Sequence, residues 1–219
     1  MLKLHGFAVS NYFNMVHLAL LEKGVEFEIV TAYPNGSPEF LAHSPRGKVP
    51  FLETGHGFIN ETSAILDYLE ESQGGRALLP TDQFARALVR TLMKEIELYI
   101  ELPARLCFAE AFFGGTVPEA IKDKAQAELR AGFATLKRHA KFAPYVAGDS
   151  FTLADIYFFY SVGLATQVAQ KVFQFDALED MPKARALLQQ LGENPHVQEI
   201  AAERERGMPA FVAYVQAKR

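Results

Sequence analysis

Cysteine is nearly absent from this 219-residue sequence, and tryptophan is absent altogether. The single cysteine, Cys107, excludes an internal disulfide framework, and such sparse use is typical of a protein from a reducing compartment. An excess of one charge is also lacking, since 22 Lys and Arg residues face 26 Asp and Glu residues for a net charge of −4. This balance gives no broad attraction to nucleic acid or to an anionic membrane surface.

Long apolar runs are missing as well. The opening residues, MLKLHGFAVSN, do not contain the apolar stretch of a signal peptide. The most apolar later run, LADIYFFYSVGLA, is interrupted by Asp155 and is shorter than the ~20 residues of a membrane-spanning helix. The six histidines show no metal-ligand spacing, and no glycine-rich phosphate loop occurs. We therefore expect a globular, cytoplasmic protein without a bound metal.

The first 75 residues alternate between strand-like and helix-like segments. Met15, Val16, Ala19 and Leu20 have helical spacing, and Lys23 followed by Gly24 is a helix stop signal. The two glycines around His56 predict a hairpin. The predicted order is β-α-β, then α, then β-β-α, with the first two strands parallel and the last two antiparallel, which gives a mixed four-stranded sheet. Helices are expected at 12–23, 37–43 and 61–71.

The second half of the sequence contains helical patterns and no convincing strand. One long helix is expected over 82–113 with a kink at Pro103. Thr116 and Glu119 have the spacing of a capping box before a helix that ends near residue 141, and Thr152 and Asp155 have it again. Shorter helices are expected over 178–217. The predicted domains are residues 1–75 and 86–219, joined by a linker at 76–85.

Pro50 stands where a strand should begin, in the stretch KVPFLE. Proline donates no hydrogen bond to a sheet, so it is confined to an edge strand or to the end of a strand. A cis Val49–Pro50 bond would turn the backbone of Val49 toward solvent, where an extended peptide-like ligand pairs with it. Simple initiation of the strand by Pro50 is the alternative.

Glu61 and Thr62 lie at the start of a predicted helix. Free N–H groups and a hydroxyl at a helix N-terminus bind a carboxylate, and the carboxylate of Glu61 accepts hydrogen bonds from an ammonium group. The pair therefore suits the two charged ends of an amino-acid head group. Plain capping of the helix by Asn60 or Thr62 is the alternative.

Ser10 and Asn11 lie between the first strand and the first helix. Either residue is suited to cap that helix. A Ser10 hydroxyl directed at a ligand thiol would instead donate a hydrogen bond and favour the thiolate, as would the positive end of the helix.

Four segments resemble, in order and spacing, the cytosolic glutathione transferases of the serine type, with a bacterial character. GFAVSNYFNMVHLALLEKG resembles the segment that carries the catalytic hydroxyl. SPRGKVPFLE and NETSAILDYLEE resemble the segments that hold glutathione, and GDSFTLADIYFFY resembles the folding motif of the helical domain. The resemblance covers the whole chain and implies an α/β thioredoxin-like N-terminal domain followed by an all-α C-terminal domain.

The resemblance also implies roles for individual residues. Val49 would offer its backbone to the cysteinyl unit of glutathione, with Pro50 as the cis proline of the family. Glu61 and Thr62 would hold the γ-glutamyl head, and Lys48 would reach the glycyl carboxylate.

Ser10 would be the catalytic residue that stabilises the thiolate, with Asn11 and Tyr12 as alternative donors. His5 stands near a position where many members carry tyrosine, and Thr62 stands where serine is commoner. No cysteine occupies residues 9–13, which argues against thiol exchange of the glutaredoxin or omega type. Cys107 is expected to be a small core residue.

A second, apolar substrate is expected to bind in a cleft between the domains. Arg105 would polarise it or would form an ion pair with Glu101. The candidate lining residues are Phe7, Val9, Tyr99, Arg105, Phe108 and Phe112.

The sequence therefore predicts a glutathione S-transferase of detoxification type that adds the glutathione sulfur to an apolar electrophile, and the family implies a homodimer. One alternative uses the same site for glutathione-dependent peroxidase, isomerase or dehalogenase chemistry. A second alternative is a non-catalytic interaction protein with this fold.

Overall fold

A computed structural model describes residues 1–217 of the chain. Two compact units are present: the first contains Met1–Leu78 together with the chain from Glu193 onward, and the second contains Leu79–Gly192. The last segment of the chain therefore packs with the first 78 residues, whereas the predicted boundaries group it with the second half. Those domain boundaries stay a prediction.

The secondary structure consists of four strands, eleven α-helices and two π-helical segments within residues 1–217. The strands are Leu2–Gly6 (β1), Phe27–Thr31 (β2), Phe51–Thr54 (β3) and Gly57–Asn60 (β4). The helices are Asn11–Lys23 (α1), Pro38–His43 (α2), Thr62–Ser72 (α3), Gln83–Ile96 (α4), Leu102–Arg105 (α5), Phe108–Phe113 (α6), Glu119–His139 (α7), Leu153–Tyr157 (α8), Gly163–Phe173 (α9), Pro182–Gly192 (α10) and Pro195–Gln216 (α11). The π-helical segments are Glu97–Glu101 and Phe158–Val162.

The sheet of the first unit has the order β2-β1-β3-β4. Strands β1 and β2 are parallel, whereas β1 with β3 and β3 with β4 are antiparallel. The predicted mixed sheet and its strand directions are confirmed. Leu4 and Leu52 are fully buried, as are the residues of α1 predicted to form its apolar stripe, so the core of this unit lies between the sheet and α1.

Helix α11 completes the first unit by packing along α1. The carboxylate of Glu22 on α1 accepts hydrogen bonds from the side-chain amide of Asn194, at 2.7 Å, and from His196, at 3.1 Å. Glu22 also pairs with Arg76. Tyr214, near the other end of α11, donates its hydroxyl hydrogen to the carbonyl of Pro34 at 2.7 Å. The expectation of only short helices over 178–217 is thus wrong, because α11 extends over 22 residues.

The second unit is helical, as predicted, but the long helix expected over 82–113 is interrupted. The π-helical segment Glu97–Glu101 follows α4 directly, and Leu106 and Cys107 separate α5 from α6. Pro103 is the second residue of α5, directly after the π-helical segment, and the backbone before it is helical.

Only one of the two predicted capping boxes of this unit forms. Thr152 and Asp155 form theirs at the start of α8. Thr116 does not cap α7, since Pro118 precedes that helix and no side chain caps it. Across the described part of the chain, no helix is long and apolar enough to cross a membrane.

Candidate functional site at one end of the sheet

Three predicted site segments meet at the same end of the sheet. Because β3 runs antiparallel to β1 and to β4, the end of β1, the start of β3 and the end of β4 lie side by side. His5, Phe51 and Asn60 are paired across these strands, and neighbouring strands are ~4.8 Å apart. Ser10 lies in the chain just after β1, Val49 just before β3, and Glu61 just after β4, so all three are next to these paired residues. Residues far apart in sequence are thereby brought together.

Ser10 occupies the N-cap of α1. Its side-chain oxygen accepts a hydrogen bond from the amide of Phe13 at 3.4 Å, and its own amide donates to the carbonyl of Phe7 at 2.9 Å. The first turn of α1 therefore places the Ser10 hydroxyl at the positive end of the helix. The capping role that the sequence left open is present, and it uses the hydroxyl only as an acceptor, so the hydroxyl hydrogen remains for donation.

The turn before Ser10 is held by Asn14, which the sequence analysis did not single out. The side-chain amide of Asn14 donates to the carbonyl of Ala8 at 3.0 Å, and the side chain is almost completely buried. The signal in the sequence was a polar residue on the buried face of α1. Of the alternative thiolate donors in the first turn, Asn11 is buried and Tyr12 is half-buried, and both have interaction partners.

The Val49–Pro50 peptide bond is cis. Within residues 1–217, no hydrogen bond involves the amide or the carbonyl of Val49. Val49 is half-buried, and the preceding Lys48 is exposed. Its backbone is therefore free to pair with an extended ligand, as β-strand addition requires.

Helix α3 begins at Thr62 without a side-chain cap. Glu61, in the N-cap position, is exposed and has φ +66°. Asn60 does not cap the helix, because its side-chain amide donates to the carbonyl of His43 at 3.0 Å. Capping by Asn60 or Thr62, the alternative reading of this segment, is thus not what the chain does. No side chain among residues 1–217 caps the N-terminus of α3, which carries the partial positive charge that attracts a carboxylate.

Two of the residues predicted to line the second-substrate site, Phe7 and Val9, lie in the turn before Ser10. The ring of Phe7 stacks between Tyr33, at 4.8 Å, and Phe211 of α11, at 5.4 Å. Tyr33 stacks in turn on Tyr214 at 4.6 Å. This column of four rings was not predicted, because the predicted domain boundaries place the residues of α11 in the helical domain.

The other predicted lining residues belong to the second unit. Arg105 lies 2.8 Å from the carboxylate of Glu101, which is fully buried, and its guanidinium lies 5.2 Å from the Phe108 ring centre. Phe108 and Phe112 contact each other edge to face at 5.2 Å. Arg105 therefore forms the ion pair that the sequence analysis considered. Tyr99 is about half exposed on its π-helical segment, and a role for these residues toward a substrate stays a prediction.

The single cysteine, Cys107, belongs to the second unit. Cys107 is fully buried, and burial raises the pKa of its thiol, so this residue does not supply a thiolate. Within residues 1–217, no cluster of three or more His, Cys, Asp or Glu side chains is arranged to hold a metal ion.

The model of the glutathione S-transferase N-terminal domain matches residues 4–77, and that of the C-terminal domain matches residues 119–190. A glutathione S-transferase from Pseudomonas putida is 62% identical over 216 residues, which is 99% of this chain and 98% of that protein. The chain belongs to the glutathione S-transferase family. Glutathione is the co-substrate of this family, and the chain is a glutathione transferase.

Solved structures of glutathione S-transferases share the fold. Gtt2 from Saccharomyces cerevisiae has a TM-score of 0.75 at 25% identity, over 90% of this chain and 99% of Gtt2. A maleyl pyruvate isomerase, described as a bacterial glutathione S-transferase of the zeta class, has a TM-score of 0.71 at 28% identity, over 90% of this chain and 95% of the isomerase. The N-terminal match includes every residue predicted to bind glutathione, whereas α11 lies outside both matched ranges.

Proposed function

We propose that this glutathione transferase binds glutathione along the end of the sheet and stabilises its thiolate with the hydroxyl of Ser10. The observation that carries the proposal is the convergence of the Ser10 turn, the unpaired Val49 backbone and the uncapped N-terminus of α3 at one sheet end. The Ser10 hydroxyl suits the thiol of a γ-glutamyl tripeptide, the Val49 backbone suits its cysteinyl backbone, and the N-terminus of α3 suits its γ-glutamyl head.

Binding is divided among the three segments. The amide and carbonyl of Val49 pair with the backbone of the cysteinyl unit. The N-terminus of α3 with Thr62 receives the α-carboxylate of the γ-glutamyl head, and the carboxylate of Glu61 accepts hydrogen bonds from its ammonium group. Lys48, which is exposed, reaches the glycyl carboxylate.

Ser10 acts on the thiol. Its hydroxyl donates to the sulfur, and the N-terminus of α1 adds a favourable field for negative charge. Lowering a thiol pKa by ~2 units from ~8.5 requires ~2.7 kcal/mol of preferential thiolate stabilisation, which one charge-assisted hydrogen bond and a helix end supply. The thiolate then forms a carbon–sulfur bond with an apolar electrophile, whose leaving group departs with the bonding electrons.

The proposal includes a homodimer in the cytoplasm. Several large apolar side chains of α4 and of the segments after it are exposed, and Phe84 is 71% exposed. Exposed apolar side chains on one unit are suited to a contact with a second copy. They include Phe84, Leu88, Leu98, Leu102 and Leu106. Light scattering after size-exclusion chromatography measures the mass, and a monomer at micromolar concentration would contradict this part.

The test is the ultraviolet thiolate absorbance of glutathione bound to the wild type and to Ser10→Ala, followed from pH 5 to 9. We expect a depressed thiol pKa in the wild type that returns toward ~8.5 in the variant. Ser72→Ala is the matched control, since the Ser72 hydroxyl bonds only within the exposed end of α3. An equal pKa in wild type and Ser10→Ala would transfer the role to Asn11, Tyr12 or the helix end, and absence of glutathione binding would favour an interaction protein.

Isomerase chemistry is the second candidate, because a solved neighbour at 28% identity is an isomerase. It uses the same bound thiolate without consuming glutathione. Turnover of a cis-alkene acid without loss of free thiol would identify it, whereas stoichiometric loss of thiol indicates transfer.

A further inference from the structure

We propose that Ser44 and Asn60 are positioning residues of the glutathione site, which hold the Val49 segment in place relative to the start of α3 without touching glutathione. The inference rests on the proposed function, because it assigns a purpose to contacts behind that site. Neither residue was predicted from the sequence as part of this arrangement.

Ser44 fixes the loop that ends at Val49. Its hydroxyl donates to the carbonyl of Lys48 at 2.8 Å and accepts the amide of the same residue at 3.2 Å. Ser44 is almost completely buried, and its own carbonyl accepts the amide of Gly47 at 2.8 Å. One side chain therefore satisfies both backbone groups of the residue directly before Val49. Since Val49 itself has no hydrogen bond within residues 1–217, its position depends on this neighbour.

Asn60 connects the same loop to the other half of the site. It lies at the end of β4, one residue before Glu61, and its side-chain amide donates to the carbonyl of His43 at 3.0 Å. His43 is the last residue of α2 and directly precedes Ser44. The contact therefore joins the start of the Val49 loop to the start of α3.

The far side of the loop is also fixed. Gly47 has φ +61°, and a β-carbon there would lie 2.5 Å from the carbonyl oxygen of Asn35. The loop over residues 44–48 is thus closed by Ser44 on one side and by the backbone at Asn35 on the other. These contacts hold Lys48 and Val49 in one fixed arrangement before a ligand binds. A solvated lysine and an unpaired valine do not need such a fixed loop, whereas a binding site does, because fixing the loop in advance lowers the entropy cost of binding.

The experiment compares Ser44→Ala, Asn60→Asp and Ser10→Ala with the wild type. Asn60→Asp keeps the shape of the side chain and replaces its donor by an acceptor that faces the His43 carbonyl. The probes are glutathione and S-methylglutathione, which has no ionisable thiol. The readouts are the Kd of each probe by calorimetry, the thiol pKa of bound glutathione, and kcat at saturating glutathione with 1-chloro-2,4-dinitrobenzene.

We expect Ser44→Ala and Asn60→Asp each to raise both Kd values by on the order of tenfold, since small displacements of a binding group have effects of this size. The thiol pKa of bound glutathione and kcat at saturation should stay at wild-type values. Ser10→Ala should show the reverse pattern, with an altered thiol pKa and little change in the Kd of S-methylglutathione. Ser72→Ala serves again as the control and should match the wild type in every readout.

The outcomes separate the two proposals. If the wild type binds neither probe, the proposed function fails. If the wild type binds both and the folded Ser44→Ala and Asn60→Asp variants bind them equally well, the positioning role is overturned, even where thermal stability falls. Should Ser44→Ala not fold, Asn60→Asp alone decides, because this substitution keeps the side-chain volume at a position that is only half-buried.

Discussion

Gly132 of helix α7 packs directly against the backbone of Tyr99 in the first π-helical segment. A β-carbon at residue 132 would lie 2.1 Å from the carbonyl oxygen of Tyr99 and 3.1 Å from the side chain of Ile100. Real β-carbons do not come so close to a backbone oxygen, so the two segments pack together only with glycine at this position.

Gly132→Ala should therefore lower the free energy of unfolding by about 2 kcal/mol, the usual cost of overpacking a well-packed site. Urea unfolding at pH 7 measures it. Gly163→Ala, at the start of α9, is the control. Apart from its chain neighbours and the backbone of its own helix, no atom of residues 1–217 lies within 4 Å of the added β-carbon, and alanine there should raise the free energy of unfolding by up to about 1 kcal/mol. Equal effects of the two substitutions would contradict the close approach.

Glu61 combines a proposed binding role with a costly backbone conformation, because its φ of +66° is rare for a residue with a side chain. Glu61→Gly should raise the free energy of unfolding by about 1 kcal/mol and at the same time weaken glutathione binding at least tenfold. Unfolding curves and calorimetry on the same preparations measure the two effects.

The matched control is Gln174→Gly, at the left-handed end of α9 with φ +56°. It should stabilise the chain by a similar amount and leave the Kd of glutathione unchanged. If the Glu61→Gly variant binds glutathione with the same Kd as the wild type, Glu61 has no role in binding glutathione.

Asp155 should make the free energy of unfolding of the second unit depend on pH. One carboxylate oxygen accepts the amide of Val146 at 2.8 Å, and the other accepts the amide of Thr152 at 2.8 Å and its hydroxyl at 3.1 Å. Burial raises the pKa of Asp155 to about 6, although these hydrogen bonds oppose the shift. The folded state therefore holds this proton more tightly than the unfolded state, and the associated stability is lost as pH rises through about 6.

Asp155→Asn should lower the free energy of unfolding by about 2 kcal/mol at pH 7, because the amide nitrogen cannot accept the hydrogen bonds that one carboxylate oxygen accepts. The difference in free energy of unfolding between wild type and variant should be larger at pH 5 by about 1 kcal/mol. Urea unfolding of both proteins at the two pH values tests this, and a gap that narrows on acidification would be contrary to the raised pKa.

His17 should have the opposite pH dependence in the first unit. Its ring lies among Phe13 and Phe27, and Nδ1 is 3.7 Å from the carboxylate of Glu203 on α11. Burial, with a smaller contribution from His196, lowers the pKa of His17 to about 4. The folded state therefore favours the neutral ring, so this contribution to the free energy of unfolding is present above pH ~6.5 and is lost as pH falls toward 4.

Protonation of His17 should lower the free energy of unfolding of the wild type by about 2 kcal/mol between pH 7 and pH 5. Glutamine does not titrate, so His17→Gln should lack this loss. The difference in free energy of unfolding between the two proteins should therefore shrink on acidification. A wild-type advantage that is the same at both pH values would show that His17 is not held neutral by the fold.

Local signals in the sequence predicted the parts of the fold that depend on neighbouring residues. The capping box of Thr152 and Asp155 formed because both partners lie within one turn. The hairpin around His56 formed with Thr54 opposite Gly57, as its short turn requires. The pair Thr116 and Glu119 had the same spacing as the first box, yet Pro118 opens that helix instead, because proline suits a helix start.

Contacts of side chains with backbone groups outside their own helix or strand could not be predicted from the sequence. The hydroxyl of Ser44 could not be assigned to Lys48 before the loop was closed, and Asn60 was considered only as a cap of α3, not as a partner of His43. Ser10, Val49 and Glu61 were predicted as site residues because each lies at a strand or helix end with a chemical reason of its own, and their roles stay a prediction. Their convergence followed only from the strand directions.

The sheet-containing unit is assembled from both ends of the chain, since α11 packs on α1 while residues 79–192 form the other unit. On a ribosome, the residues of α11 emerge on the order of ten seconds after the sheet has been made. During that interval α11 does not yet cover its side of α1, so His17 and Glu22 are exposed to solvent or to other proteins. The unit whose synthesis begins first is therefore the last to be finished.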